Sequence, residues 1–377
     1  MHMKEYCHLE NGIWYAELDG TKGPYALGLA SGKAFEGLIL KNIEHMKEVY
    51  CQACTEEQLE KILDDMYHGK YIEDLKTYAP HLYEEMCGIA DGCGADLKDI
   101  MMLNYLEEVP NAIDECYAGA GCSAASVIKR DGLPNMIFQN MDFTDAYAGY
   151  EAVYKIKLKE KSILMYGFVG QFGGIGVNSK GLGNTINVIC NCPNNTGSGV
   201  PSTAILRLIL EKDTVEEAEN LLHTIPRSTA GCYMVTDCEK TAVFEASANH
   251  VEKITPEGEK YLVHTNHALK TRDVIDVPGS FIGKEALVLD TGFTEFKTVE
   301  RQKVLTALVD RDCETLTAED AMLYLTSDPL NVQHGLMFSL DLSTLQSMIA
   351  ICDKDKAGIY VAKGMDSERK FIYLTFN

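Results

Sequence analysis

Basic residues are scarce in this chain: 34 lysines and arginines face 56 aspartates and glutamates in 377 residues, a formal charge of −22 at pH 7. Such a surface repels nucleic-acid phosphates and anionic membranes unless a basic patch is segregated, and the sequence holds no such patch. Acidic runs such as Glu56-Glu57-Gln58-Leu59-Glu60 and Glu216-Glu217-Ala218-Glu219 read as solvated helix faces. No apolar run approaches the roughly 18 residues of a membrane span, and Met1 does not open a basic-then-apolar leader. The expectation is a cytoplasmic protein. Tryptophan occurs once, at Trp14, but aliphatic residues are ample for a core and the chain does not read as disordered.

Thirteen cysteines without a leader argue against a disulfide framework, so most read as small buried hydrophobes. Cys51-Gln52-Ala53-Cys54 has zinc or redox spacing, but no second pair follows and the stretch is helix-like. A non-enzymatic zinc or redox-responsive protein built on Cys51 and Cys54 is therefore an alternative reading, and no metal or cofactor is otherwise expected. The glycine-rich run from Gly170 to Gly176 lacks both the Gly-Lys-Ser/Thr of a P-loop and a dinucleotide fingerprint with its downstream acid, which speaks against a nucleotide site.

Residues 35–109 read as helix, with apolar positions at helical spacing and a capping box at Thr55 and Gln58. The last of these helices runs through Leu97, Ile100, Met101, Tyr105 and Leu106, and is expected to end before Pro110. From Gly121 the texture changes to strands. Residues 123–129 and 135–139 flank a turn at Arg130-Asp131-Gly132-Leu133-Pro134, and residues 162–169 and 182–190 flank the glycine-rich segment 170–183.

A helix pair follows, with Pro201 in a first turn and Asp213 with Glu216 as the cap of the second. Then come a hairpin over 233–246, a helix capped at Thr317, and β-rich runs at 345–352, 358–362 and 371–376. Hairpins outnumber βαβ units, so the fold class is α+β, with mainly antiparallel sheets covered by helices. The only boundary suggested is the break between Pro110 and Cys122, dividing a helical segment, 1–121, from a β-rich remainder, 122–377.

Gly121-Cys122-Ser123 sits at that break. Were the peptide bond before Cys122 cut, one residue would carry both a thiol and a free amine, a nucleophile with its own base. Asn178 reads on its own as a turn residue. His264-Thr265-Asn266-His267 offers two imidazoles and an amide after a short strand, so an uncleaved Cys-His thiol hydrolase pairing Cys122 with His264 or His267 is a second alternative.

Taken together and in order, Gly121-Cys122-Ser123, Gln139-Asn140-Met141-Asp142, Gly176-Val177-Asn178-Ser179-Lys180-Gly181-Leu182 and His264-Thr265-Asn266-His267 resemble the motifs of the acyl-coenzyme A:6-aminopenicillanic acid acyltransferase family. Gly199-Val200-Pro201 with Arg207, and the stretch from Glu85 to Gly92, also fit its pattern. The family belongs to the N-terminal nucleophile hydrolases, with bile salt hydrolases, penicillin V hydrolases and acid ceramidase as more distant relatives. The resemblance implies a four-layer αββα sandwich and a proenzyme that cleaves itself between Gly121 and Cys122. Residues 1–121 would stay bound as a helical α chain, forming one globular unit with the catalytic β chain, 122–377.

By the same resemblance Cys122 is nucleophile and base, Asp142 orients the new amine, Asn266 donates to the oxyanion, and Asn178 contributes to that site or to binding the new amine. Gln139, His264, His267 and His334 are expected to contact substrate. The expected partner is a small acyl amide or acyl-CoA, with amide hydrolysis favoured over acyl transfer. Self-association is left open. One departure stands out: relatives place an arginine near the nucleophile, and none occurs between Arg311 and Arg369, so His334 or Gln333 is expected to occupy that space. Bile-salt-type relatives also carry arginine where this chain has Gln139, which argues against a bile-acid substrate.

Overall fold

The periodicity before residue 114 is realised as helices, preceded by two strands that the sequence reading did not anticipate. A computed structural model describes residues 6–113, 120–189, 192–258, 260–274, 298–332, 335–337, 340–364 and 369–377. Strands β1 (Tyr6–His8) and β2 (Trp14–Asp19) lead into α1 (Pro24–Ala34), α2 (Glu36–Tyr50), α3 (Glu56–Tyr67), α4 (Lys70–Tyr78), α5 (Pro80–Cys93), α6 (Leu97–Asn104) and α7 (Glu108–Ile113). The capping box of α3 forms as expected, Thr55 accepting from the Gln58 N–H and Gln58 from that of Thr55. The helix expected to stop before Pro110 is in fact two. α6 ends at Asn104, and α7 passes through Pro110 in its first turn, where the missing N–H has no helical acceptor to lose.

Beyond the junction run β3 (Ala120–Val127), β4 (Asn135–Thr144), β5 (Glu151–Lys157), β6 (Ser162–Phe168), β7 (Ile175–Asn178) and β8 (Gly183–Val188). α8 (Ser202–Leu210) and α9 (Val215–Thr224) precede β9 (Gly231–Thr236), β10 (Thr241–Ala246), β11 (Val251–Ile254) and β12 (Tyr261–His264). The chain closes with α10 (Thr298–Asp312), α11 (Ala318–Leu325), β13 (Gly335–Met337), β14 (Leu340–Cys352), β15 (Gly358–Lys363) and β16 (Ile372–Thr375). Two capping expectations shift: Pro201 is the N-cap residue of α8, and Thr214, not Asp213, caps α9 through the Glu217 N–H.

The strands make two sheets. One, nine-stranded, is ordered β1-β2-β5-β6-β7-β8-β9-β10-β11 and is antiparallel except where β2 meets β5. The other, seven-stranded, is ordered β12-β3-β4-β14-β15-β16, with β13 also on β14. They pack face to face, β3 and β4 against β8 and β9, and β14 against β7. α8 and α9 cover the outside of the first sheet, and α10 and α11 that of the second. The expected αββα layering is present.

Strand alternation explains the two cores. Ala124 and Ile137 belong to the core between the sheets, whereas their neighbours Ala125, Val127, Met136 and Phe138 point outward to Leu305 and Val309 of α10 and Leu325 of α11. Cys122 shares the parity of Ala124, which directs its thiol between the sheets.

The helical segment is locked by a tight crossing of α1 and α5. A Cβ at Gly28 would fall 1.9 Å from the Glu85 carbonyl oxygen, and one at Gly88 would fall 2.2 Å from that of Tyr25. Backbone sits against backbone here and no flexible side chain can yield. Gly88→Ala is expected to lower stability by about 1–3 kcal/mol, the usual range for overpacking, as read from urea unfolding. A variant as stable as the parent would contradict the crossing.

Candidate active site

The hairpin of β3 and β4 places the junction. Their register sets Gly121 opposite Asp142 and Cys122 opposite Met141, so the residues that the motif order linked over twenty positions become cross-strand neighbours. Cys122 is 2 % exposed and Asp142 is fully buried. The Cys122 N–H donates to Asn266 Oδ1 at 2.8 Å, and Asn266 Nδ2 donates to the Val188 carbonyl at 3.1 Å, its second N–H having no acceptor among the described residues. Asp142 Oδ1 accepts from Thr344 Oγ1 at 2.5 Å, while its Oδ2 is buried without a partner among the described residues.

Burial pushes the Cys122 thiol up and the Asp142 carboxylate adds to this; Arg301 and the N–H groups of Val188 and Asp142 offset it only in part. The Asp142 carboxyl is raised by burial against the lowering pull of Arg301, the Thr344 hydroxyl and Arg369. These surroundings favour the neutral thiol at Cys122 over the thiolate.

Arg301, on α10, is a site residue that the sequence reading missed. It is fully buried and donates from Nη1 to the Cys122 carbonyl at 2.5 Å and to Ser123 Oγ at 2.7 Å, and from Nη2 to Asn266 Oδ1 at 2.8 Å. An arginine does stand beside Cys122, then, and it comes from upstream of Arg311. The signal was present: Arg301, Leu305 and Val309 form one buried stripe at four-residue spacing. His334 and Gln333, expected to fill this space, lie outside the described residues.

Asn178 is not brought to the junction. Its Nδ2 donates to the carbonyls of Leu210 and Lys212, at 2.9 and 2.7 Å, and its Oδ1 accepts from the N–H groups of Lys180 and Leu182. Both ends of the amide are occupied in pinning the turn after β7 to the end of α8, so the turn-residue reading describes what it does. Gln139 is likewise spent between the sheets, on the Ile186 backbone and on Asn187 Oδ1. Asn187, not anticipated, donates to the His264 carbonyl at 2.9 Å and ties β8 to β12 beside Asn266.

The two histidines flank the site without a described hydrogen bond to the thiol. His264 is fully buried, one ring nitrogen facing the Thr265 carbonyl at 2.8 Å and the other Glu245 Oε1 at 2.9 Å, so neither is available as a base. His267 faces Thr298 Oγ1 at 3.0 Å, and burial, with His264 and Arg301 nearby, lowers it to about 4. Cys51 and Cys54 follow the end of α2, and among the described residues no cluster of three His, Cys, Asp or Glu could hold a metal ion.

Next to the thiol a narrow cavity of about 50 Å³ opens between the sheets, lined mainly by apolar side chains that include Met141, Phe143, Phe168, Ile186 and Leu206, with Glu107 at its wall.

With this geometry in view, the comparisons fall into place. Residues 129–284 match the profile of the family described as acyl-coenzyme A:6-aminopenicillanic acid acyl-transferase. The 40 kDa form of acyl-coenzyme A:6-aminopenicillanic-acid-acyltransferase from Emericella nidulans is 28 % identical over 256 residues, covering 65 % of this chain and 67 % of that protein. The chain is similar to this acyltransferase family over that region. Among solved structures, a mutant of the conjugated bile acid hydrolase from Clostridium perfringens aligns over 67 % of this chain and 92 % of its own, with 15 % identity and a TM-score of 0.45. Penicillin V acylase from Agrobacterium tumefaciens aligns over 67 % and 86 %, with 14 % identity and a TM-score of 0.43.

The His264–Glu245 pair supplies a pH test. Burial alone would raise Glu245, but the His264 hydrogen bond and charge, with the N–H groups of Leu269 and Thr271, bring it down to about 2 from 4.5. A depressed carboxylate stabilises the fold above its unfolded value and loses that contribution as pH falls through the folded one. Glu245→Gln should therefore be less stable than the parent at pH 7, with the gap closing between pH 4.5 and 2. A gap independent of pH, measured by thermal unfolding across that window, would contradict the assignment.

Proposed function

We propose that this acyltransferase relative is an enzyme that activates itself by cutting the Gly121–Cys122 bond and then acts on the amide bond of a small N-acyl compound through a thioester on Cys122. The observation that carries this reading is the buried Oδ2 of Asp142, without a partner among the described residues and across the ladder from Gly121. A buried carboxylate oxygen without a donor costs about 1–3 kcal/mol or more. The ammonium created at Cys122 by cleavage is a donor of the right charge at the right strand position.

The chemistry balances with the residues at hand. Cys122 Sγ attacks the Gly121 carbonyl carbon, the C–N bond breaks as the C–S bond forms, and the thiol proton ends on the departing nitrogen. Water then hydrolyses the thioester, releasing the Gly121 carboxylate and restoring the thiol. The freed α-amine, with a solution pKa of about 7.7–8.0, takes the thiol proton in each later cycle and delivers it to the leaving amine. Asn266 Oδ1 and the Asp142 carboxylate hold that amine, and the second Nδ2 hydrogen of Asn266 serves the tetrahedral oxyanion.

Arg301 fixes Asn266 and the Cys122 carbonyl in position, acting as a positioning residue. Asn178 is assigned to the fold and not to the oxyanion site. Water as the acceptor gives amide hydrolysis, the outcome we favour, and an amine gives acyl transfer. The acceptor is a small molecule.

Incubation with an activated acyl amide should leave an acyl group on Cys122, detectable by peptide mass spectrometry, and Cys122→Ala should take up none. Asp142→Asn should cut kcat at least ~100-fold, as removal of a positioned catalytic group does. Acyl uptake on a residue other than Cys122, or an Asp142→Asn variant with full turnover, would contradict the reading.

A further inference from the structure

The cavity beside the thiol has one feature that amide hydrolysis does not require. Of its polar lining, Gln171 is spent on the Leu103 carbonyl and the Phe168 N–H, Gln346 on the Gly167 carbonyl, and Thr203 on the Asn104 carbonyl. Glu107 is the one carboxylate among the described lining residues, set at the end of the loop between α6 and α7. The cavity's volume of about 50 Å³ is a fraction of the ~150 Å³ apolar space that takes up benzene. An acyl part accommodated there without side-chain movement is slender.

We propose that Glu107 is the specificity-determining residue of this acyl chamber, selecting N-acyl compounds whose acyl part is short, apolar next to the carbonyl, and ends in a cationic group. The inference rests on the Cys122 thioester reading and deepens it. An apolar cavity with one carboxyl in its wall is matched by a chain that ends in an ammonium: the apolar walls take the methylenes and the carboxylate takes the charge. The environment of Glu107 supports this. Burial and the neighbouring Glu108 carboxylate push it up to about 8, against one hydrogen bond from the Thr229 side chain. An arriving cation offsets that cost by pairing with the carboxylate. An anionic acyl end meets the opposite, repulsion and an unpaired buried charge.

The test compares two amides of identical leaving group and matched acyl length, one ending in an ammonium and the other in a methyl, on the full processed protein. The parent should favour the ammonium amide in kcat/KM. In Glu107→Gln the ratio of the two kcat/KM values should fall ~10- to 100-fold, the range for loss of a charged hydrogen-bond pair, and Glu107→Asp should recover part of it. Because the readout is a ratio within one preparation, partial misfolding of a variant cancels.

A parent that prefers the methyl amide, or a ratio unchanged by Glu107→Gln, overturns the inference and leaves the thioester reading standing. If unmodified protein turns over neither amide although Cys122 in a parallel sample reacts with iodoacetamide, both the inference and the reading beneath it fail.

Discussion

A fully buried guanidinium holds this site together. Arg301 reaches from α10 across the outer face of the second sheet to the Cys122 carbonyl, the Ser123 hydroxyl and the Asn266 side-chain oxygen. Through that one group the strand bearing Cys122 and the loop bearing Asn266 share a partner, and a helix otherwise devoted to packing becomes part of the candidate site. The planar fork suits this role: its donors lie in fixed directions and stay charged, which the flexible point charge of a lysine would not reproduce. Burying such a charge is costly unless it is well hydrogen-bonded, so its three described acceptors are a condition of the fold as well as of the site.

The remaining geometry follows from the period of two along a strand. Cys122 points between the sheets into an apolar cavity, while Ser123 and Asn140 point outward toward Arg301 and the end of α11. The backbone nitrogen of Cys122, already donating to Asn266, lies between these two environments. A single residue thereby presents its thiol to the cavity on one side and its nitrogen to the polar groups that steady it. A nucleophile with a separate histidine base would need an imidazole directed at the thiol, whereas His264 is committed at both nitrogens to Glu245 and the Thr265 carbonyl and His267 faces Thr298 Oγ1.

Much of this was legible from the sequence where local chemistry and long-range packing agree. The β3–β4 hairpin announced itself through Asp131-Gly132 between alternating runs, and with it came the pairing of the Gly121–Cys122 junction with Asp142. The sequence misled where tertiary contact overrides local preference. β7 hid within a glycine-rich run because those glycines serve close packing and not a loop: a Cβ at Gly176 would fall 2.1 Å from the Leu164 carbonyl oxygen, and one at Gly173 would fall 1.7 Å from that of Thr203. Asn178, assigned to catalysis by its place in a motif, is held in a turn by four backbone partners. Arg301 belonged to no quoted motif, and only the stripe it shares with Leu305 and Val309 marked it as facing inward. Glu107 carried no signal of its own, since a glutamate in a helical stretch reads as solvated until the neighbouring sheets are in place.

The central claim is that the working nucleophile is an N-terminal cysteine, and mass analysis of the intact purified protein with N-terminal sequencing tests it most directly. The account predicts two tightly associated fragments, the larger beginning at Cys122, and a single uncut chain for Cys122→Ala. A fully active preparation in which every molecule remains uncut would contradict it, because an internal Cys122 has no free amine to serve as its base.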